Sequence, residues 1–372
     1  MPTTKLITDT LTELLTHLTQ FPTVTPDTAT NLAAVDWIEA QLAGLPLHIK
    51  RYSHNGHPSL VATTKVTKNP KLWLAAHIDV VNGDPETFKP FVRDGRLHGR
   101  GTHDMKFAAA AFIALLQELG SELEQYDLGL MITTDEEVGG TDGVKMLVDE
   151  AGYRGKMALI PDSGGNWEME AGAKGIMWWE LTSQGRAAHA SRTWNGINAL
   201  DQLVAFVDHV RAHVPTEPCG DPGHQHATVN FANVIAPGAT NQVPNTATAR
   251  LDIRFPPSLT LDDITVWIRN AEMTVPNVRA ELLISDPPYQ VASDGPVNRF
   301  REIVRDVTGH DVTLTTAHGS SDARHFARHG ISTINVTPNG SGFHVPDEWI
   351  DIEDLGRFYE VVRRFAAELA KA

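Results

Sequence analysis

Cysteine is almost absent from this chain: Cys219 is the single one in 372 residues. One cysteine cannot close an internal disulfide, so a stapled extracellular scaffold is unsupported. It sits in the turn-rich stretch PTEPCGDPGH, which reads as an ordinary loop before it reads as a nucleophile site. Basic residues are also in deficit, 31 Lys and Arg against 46 Asp and Glu, for a formal charge of −15. No basic patch stands out, so nothing favours nucleic acid as a partner. The acid excess aids solubility, and local clusters of it could hold divalent cations. Long apolar runs are missing, and the first residues, MPTTKLITDTLTELLTHL, mix polar with apolar and lack a signal-peptide core. A membrane partner is therefore not expected, and the cytoplasm is the default location. Internal repeats, long linkers and low-complexity tracts are absent as well.

What is present is the composition of a folded protein, 41% hydrophobic and 21% charged, over a length that suits two domains. A helix is expected near Asp27, strands in PSLVATT and KLWLAAHID, and a strong helix in HDMKFAAAAFIALLQEL. DLGLMITT and GKMALIPD read as further strands, so strands and helices alternate through residue 162. After GAKG the texture changes. GIMWWELTSQG, NALDQLVAFVDHV, HATVNFANVIA, TATARLDIRF, LDDITVWIRNA and VRAELLIS give the order β-α-β-β-α-β of a small α/β sandwich. Alternation then resumes to the end. The expectation is an α/β main domain, residues 1–175 and 289–372, with a central mixed sheet flanked by helices. A smaller α/β sandwich, 176–288, interrupts it.

Polar residues of metal-ligand type fall at the ends of these expected strands. LWLAAHIDVV ends in His77 and Asp79, which point to the same side of an extended segment. Asp79 could accept a hydrogen bond from the second His77 ring nitrogen. Asp104 opens the alanine-rich helix, where an N-cap is the plain alternative. ITTDEEVGG raises a sharper question, because Asp135, Glu136 and Glu137 repel one another unless a cation sits among them. Adjacent carboxylates diverge, so one could bind a metal while its neighbour acts as general base. Asp135 is left as loop surface or local support. Asp162 follows another apolar strand, and His344 lies between a glycine-rich turn and a proline. Singly, each has an ordinary structural explanation. Together they are a His and carboxylate set gathered at strand ends, which suits zinc, manganese or cobalt better than calcium.

The ordered segments HIDVV, DGRLHGRGTHDMK, TTDEEVGG, IPDSGG, AGAKG, AAHAS, NQVPNTATARLDIRF, GSSDARHF and FHVPDE resemble the dinuclear zinc amidohydrolase and peptidase family M20 over nearly the whole chain. The resemblance implies two divalent ions, Zn²⁺ first and Co²⁺ or Mn²⁺ next. His77, Asp104 and Asp162 would hold one, and Asp104, Glu137 and His344 the other. It implies Glu136 as general base, Asp79 as support for His77, and His189 as oxyanion stabiliser. Arg254 would grip a substrate carboxylate, Asn241 would contact substrate, and Ser320 and Ser321 would lie near the ligand. It further implies a homodimer through the inserted domain in many members. Departures exist: Asp162 is glutamate in the deacylase types and aspartate in several peptidase relatives, which tilts the expectation towards a peptide-like substrate. Phe107 stands where glycine is usual, and the tryptophan usual before PF is missing from ETFKPF.

The expected activity is hydrolysis of an amide in a small carboxylate-bearing substrate, a dipeptide or C-terminal residue or an N-acyl amino acid. A biosynthetic deacylase acting on succinyl-diaminopimelate or acetylornithine is the alternative. A non-catalytic metal or peptide-binding module and a cysteine hydrolase using Cys219 are the readings from other classes. An inserted domain also suggests hinge closure over substrate.

Overall fold

The computed structural model describes residues 4–214, 226–291, 295–317, 319 and 321–371. Cys219 and Ser320 lie outside the described residues. The chain divides into two compact units, one of Met1–Ala171, Val291–Thr315 and Ser321–Ala372, the other of Gly172–Gln290 and Thr316–Ser320.

In the first unit a mixed six-stranded sheet is ordered His48–His54, His57–Thr63, Leu128–Thr133, Leu72–His77, Met157–Leu159, Ser332–Ile334. The first two strands pair antiparallel with each other, and His57–Thr63 pairs antiparallel with Leu128–Thr133. The remaining neighbours are parallel. The central strands are buried throughout, as parallel strands covered on both faces must be. Trp73 fills the sheet beside Gly129, where an added Cβ would come within 2.2 Å of its indole ring.

The helix Lys106–Leu119 is buried from Lys106 through Leu116. Four successive alanines let it lie close to the sheet and to its helical neighbours Thr4–Thr19 and Ile352–Leu369. It begins later than the sequence pattern predicts, because residues 100–105 form turns instead of a first helical turn. The N-terminal segment is helical from Thr4 to Thr19, a helix its mixed polarity left unassigned.

The second unit carries an antiparallel four-stranded sheet ordered Thr228–Ile235, Thr246–Phe255, Gly175–Gln184, Val278–Asp286. The helices Ala199–His213 and Leu261–Thr274 supply Phe206, Val210, Ile264 and Ile268 to a core shared with Trp179, Leu251 and Ile253. This is the β-α-β-β-α-β sandwich expected from the pattern. A capping box at Thr260 and Asp263 starts the second helix.

Candidate metal centre

Three adjacent parallel strands of the first unit end on one side of the sheet. Leu72–His77 delivers His77 itself, Leu128–Thr133 leads into Glu136 and Glu137, and Met157–Leu159 leads to Asp162. Parallel pairing forces this coincidence, since the carboxyl ends of neighbouring strands then face the same way. Asp104 arrives from the turn before the buried helix. His344 arrives from a turn in which its own φ is +60° and that of Gly342 is +93°.

These side chains meet in two sets. The ligand-type atoms of His77, Asp104 and Asp162 lie within 4.8 Å of one another, and so do those of Asp104, Glu137 and His344. Asp104 belongs to both. Its Oδ1 is 3.2 Å from His77 Nε2, and its Oδ2 is 3.1 Å from His344 Nε2. His344 Nε2 is also 3.1 Å from Glu137 Oε2, and His77 Nε2 is 4.0 Å from Asp162 Oδ1. Asp104 is no helix cap: the cap position is Met105, without a side-chain bond.

Asp79 departs from its expected contact. Its main-chain carbonyl is the nearest acceptor of His77 Nδ1, at 3.0 Å, while its carboxylate stands 3.5 Å off. The carboxylate instead receives the amides of Glu136 and Glu137 at 3.2 and 3.1 Å. Asp79 therefore anchors the acidic turn as well as orienting the histidine. Asp135 is fully buried, so it is not loop surface. Its Oδ2 takes the amides of Asp142 and Gly143 at 2.7 and 2.8 Å, which makes it local support.

The electrostatics call for a cation. Burial first, then Asp104 and Asp79, push the Glu136 carboxyl up to about 7, against the pull of His77. Burial and Asp104 likewise push Glu137 up to about 7. Asp162 is driven well above the usual carboxylate range by burial, Glu136 and Asp104. Burial works against a charged His77, but Asp104 and Asp79 outweigh it and hold the ring well above its ordinary value. His344, hydrogen-bonded to Asp104 and near Glu137, is raised to about 9. Asp104 is the exception: against its burial, His344 and His77 hold it below the usual carboxylate range. Around it, acids that resist ionising stand beside histidines that resist deprotonation, a crowding of charge that a divalent cation would relieve.

The donor set fits divalent ions on a further observation. His77 Nε2 is buried and close to Asp104, yet lacks the alignment of a hydrogen bond. Its ring is fixed through Nδ1, as a ligating histidine's usually is.

The other expected site residues fall elsewhere. Ser321 is in the first unit, where its Oγ accepts from Asn335 Nδ2 at 3.3 Å. His189, Asn241 and Arg254 are in the second unit. There the segments of His189 and Asn241 run together, the Ala190 amide bonding the Asn241 carbonyl at 2.8 Å. His189 Nδ1 accepts the Ser191 amide at 3.2 Å. Arg254 is bidentate to Asp252, at 2.7 and 3.2 Å.

One supporting residue escaped the sequence reading. Asn335 clamps Asp162 from both sides, its Oδ1 accepting the Asp162 amide at 2.7 Å and its Nδ2 donating to the Asp162 carbonyl at 3.1 Å. The strand-end signal that marked the acids would have marked Asn335 too, since it ends the strand Ser332–Ile334.

The sequence profile of peptidase family M20/M25/M40 matches residues 73–368. The chain belongs to that family. Among curated relatives it is 30% identical over 379 residues to a succinyl-diaminopimelate desuccinylase of Phenylobacterium zucineum, covering 96% of this chain and 97% of that one. It is 28% identical over 386 residues to the same-named protein of Caulobacter vibrioides, covering 96% of each. Among solved structures it resembles aminopeptidase PepT from Bacillus cereus, with TM-score 0.76, 19% identity and coverage of 97% and 98%. It also resembles the M20 family metallo-carboxypeptidase Sso-CP2 from Sulfolobus solfataricus, with TM-score 0.76, 15% identity and coverage of 98% and 99%. Family membership and the two ligand sets together make this M20 chain a metal-dependent hydrolase acting on a small substrate.

Proposed function

We propose that this protein hydrolyses an amide bond in a small substrate that carries a free carboxylate, using two divalent ions and Glu136 as general base. The observation that carries the reading is the pair of ligand sets sharing Asp104, with a further, half-buried carboxylate, Glu136, on the same turn as Glu137 and in the field of Asp104 and His77. His77, Asp104 and Asp162 would hold one ion, and Asp104, Glu137 and His344 the other. Zn²⁺ suits this mixed imidazole and carboxylate set best, with Co²⁺ and Mn²⁺ next. Bound there, the ions would supply an acidified water and a polarised carbonyl.

The remaining tasks belong to the chain. Glu136 takes the proton of the attacking water and returns it to the leaving amine. A carboxyl whose affinity for a proton is raised by burial is suited to both halves of that transfer. Asp79 fixes the main chain of the turn that carries Glu136 and Glu137 by accepting both of their amides. The roles given to His189 as oxyanion donor, to Asn241 and to Ser320 and Ser321 rest on the family resemblance of their motifs. Arg254 takes the substrate carboxylate in the same reading. Its fork already grips the carboxylate of Asp252, the geometry such recognition uses.

Two substrate classes compete. The desuccinylase name borne by the sequence relatives favours an N-acyl amino acid, whereas aspartate at 162 favours a dipeptide or a C-terminal residue. A panel of dipeptides and N-acyl amino acids, including succinyl-diaminopimelate and acetylornithine, assayed with added Zn²⁺, Co²⁺ or Mn²⁺, separates them. Activity abolished by chelation and untouched by thiol alkylation is expected. No hydrolysis of any member with metals bound would return the chain to the class of binding modules, and loss of activity on alkylation would point to Cys219.

A homodimer through the second unit belongs to the same proposal. Leu282, Leu283 and Ile284 on one edge strand of its sheet and Ile235 on the other are each at least 40% exposed. Sedimentation at several concentrations measures this, and a monomer throughout would remove the dimer from the reading. A cytoplasmic location, the default expectation, is likewise proposed.

A further inference from the structure

We propose that Glu348 is a positioning residue that ties the turn bearing Asp104 to the turn bearing His344, and thereby holds the shared ligand in place for both ions. The inference rests on the metal reading above and adds to it a residue that touches neither ion.

Glu348 is 1% exposed, and each of its carboxylate oxygens receives two donors. Oε1 accepts the amides of His103 and Asp104 at 2.9 and 3.1 Å. Oε2 accepts the amide of Gly101 and Nη1 of Arg100, both at 3.0 Å. A carboxylate offers about four acceptor sites, so Glu348 is saturated. It has no lone pair left to bind a cation or to relay a proton, which separates it from the acids of the centre. Its main-chain carbonyl adds a bond from the Gly99 amide at 3.0 Å. Arg100, 3% exposed, supplies the positive charge that a buried carboxylate needs.

The grip spans two segments far apart in sequence. The strand Trp349–Asp351 pairs antiparallel with Arg96–His98, Trp349 facing His98, so Glu348 stands where the 99–104 turn leaves its strand. On its own side, Glu348 lies four residues beyond His344, and the turn between them folds back on itself. A Cβ added at Gly342 would sit 2.6 Å from Glu348 Cα. At the other end, a Cβ at Gly101 would come within 2.8 Å of Val80 and 2.9 Å of Lys106. Both turns are therefore closely packed, the first against the main chain of Glu348 and the second against Val80 and Lys106. Asp104 donates its own amide to Glu348 while its side chain meets His77 and His344, so the position of its carboxylate follows that of its main chain. Partners of this kind behind a metal ligand are worth 10–100-fold in metal affinity.

Glu348→Gln keeps the shape but turns an NH₂ group towards two N–H donors, breaking half the grip. Zn²⁺ affinity and stoichiometry are measured by competition with a chromophoric chelator, alongside melting of the metal-free protein and steady-state kinetics on the wild-type substrate. Weakening of Zn²⁺ binding by about 10–100-fold is expected, with kcat reduced and KM near that of wild type. Unchanged Zn²⁺ affinity, with only the metal-free melting temperature lowered, overturns the proposal. Should the glutamine variant not fold, Glu348→Asp, which keeps the charge but shortens the reach, is scored in the same way. A chain that folds with neither overturns the positioning role in favour of a purely structural one. Wild-type protein that takes up no Zn²⁺ fails the metal reading itself, which is a different result from two ions bound equally by wild type and variant.

Discussion

At Asp79 one carboxylate serves the acidic turn more directly than it serves the histidine two residues before it. The sequence spacing of His77 and Asp79 pointed to the histidine contact, but the amides of Glu136 and Glu137 come from the turn after a neighbouring strand, which spacing cannot report. The two glutamates themselves were legible, because three consecutive acids after an apolar strand are unstable without a counter-charge. Glu136→Gln is expected to lower kcat by about 10²–10⁴-fold while both ions still bind. Turnover with metal counting checks this, and a variant with near-normal turnover would remove Glu136 from the role of base. Glu170 tests the electrostatics at a carboxyl outside the ligand sets, joined to the Asp162 segment through Asn335. Burial pushes its carboxyl up to about 8 from an ordinary 4.5, with Asn335 Nδ2 donating to it at 2.7 Å. The folded chain then keeps a proton that the unfolded chain has lost between those values, so stability falls as pH rises through that window. Glu170→Gln cannot titrate and keeps the hydrogen bond. It is expected to match wild type near pH 4.5 and to exceed it by roughly 2–4 kcal/mol above pH 8. Urea unfolding at the two ends of the window, with chelator present, measures the difference, and parallel pH profiles would contradict it.

Among the elements, the strands that build the centre were legible because parallel strands covered on both faces read as unbroken apolar runs. LWLAAH and LGLMIT are of that kind, and both appear as strands, Leu72–His77 and Leu128–Thr133. His48–His54 was not legible, since its residues are polar and its burial only partial. The start of the alanine-rich helix was misjudged for another reason. The sequence pattern predicts helix from His103, but residues 100–105 form turns, and Glu348 takes the amides of His103 and Asp104 there. Tertiary context overrides the local pattern here. Gly129 is a strand glycine with a packing cause, and Gly129→Ala would drive a methyl into the Trp73 ring. A loss of about 1–3 kcal/mol is expected from that overpacking. Chemical denaturation measures it, and metal stoichiometry should be unchanged, because the clash lies inside the strand and away from its carboxyl end.

For the whole molecule, the proposed ions would add to the stability of the first unit. Asp104, Glu137 and Asp162 crowd together, and with Glu136 they gather negative charge that only the two histidines offset among the ligands. Removing divalent ions should therefore lower the melting temperature by several degrees. Each ion present at a hundred times its dissociation constant contributes about 2.7 kcal/mol. Calorimetry before and after dialysis against a chelator, with restoration by Zn²⁺, checks this, and a melting temperature indifferent to metal would count against the centre. Among the described residues no helix is long and apolar enough to cross a membrane.

The sequence by itself determined the α/β alternation, the interposed sandwich and which acids and histidines are unusual, because apolar periodicity and charge repulsion are local properties of the chain. Only the tertiary structure decided that Asp79 takes the amides of Glu136 and Glu137, and that Asn335 and Glu348 brace the segments of Asp162 and Asp104. Those contacts join segments up to 248 positions apart, and which donor a buried carboxylate meets at that separation is fixed by strand pairing and packing.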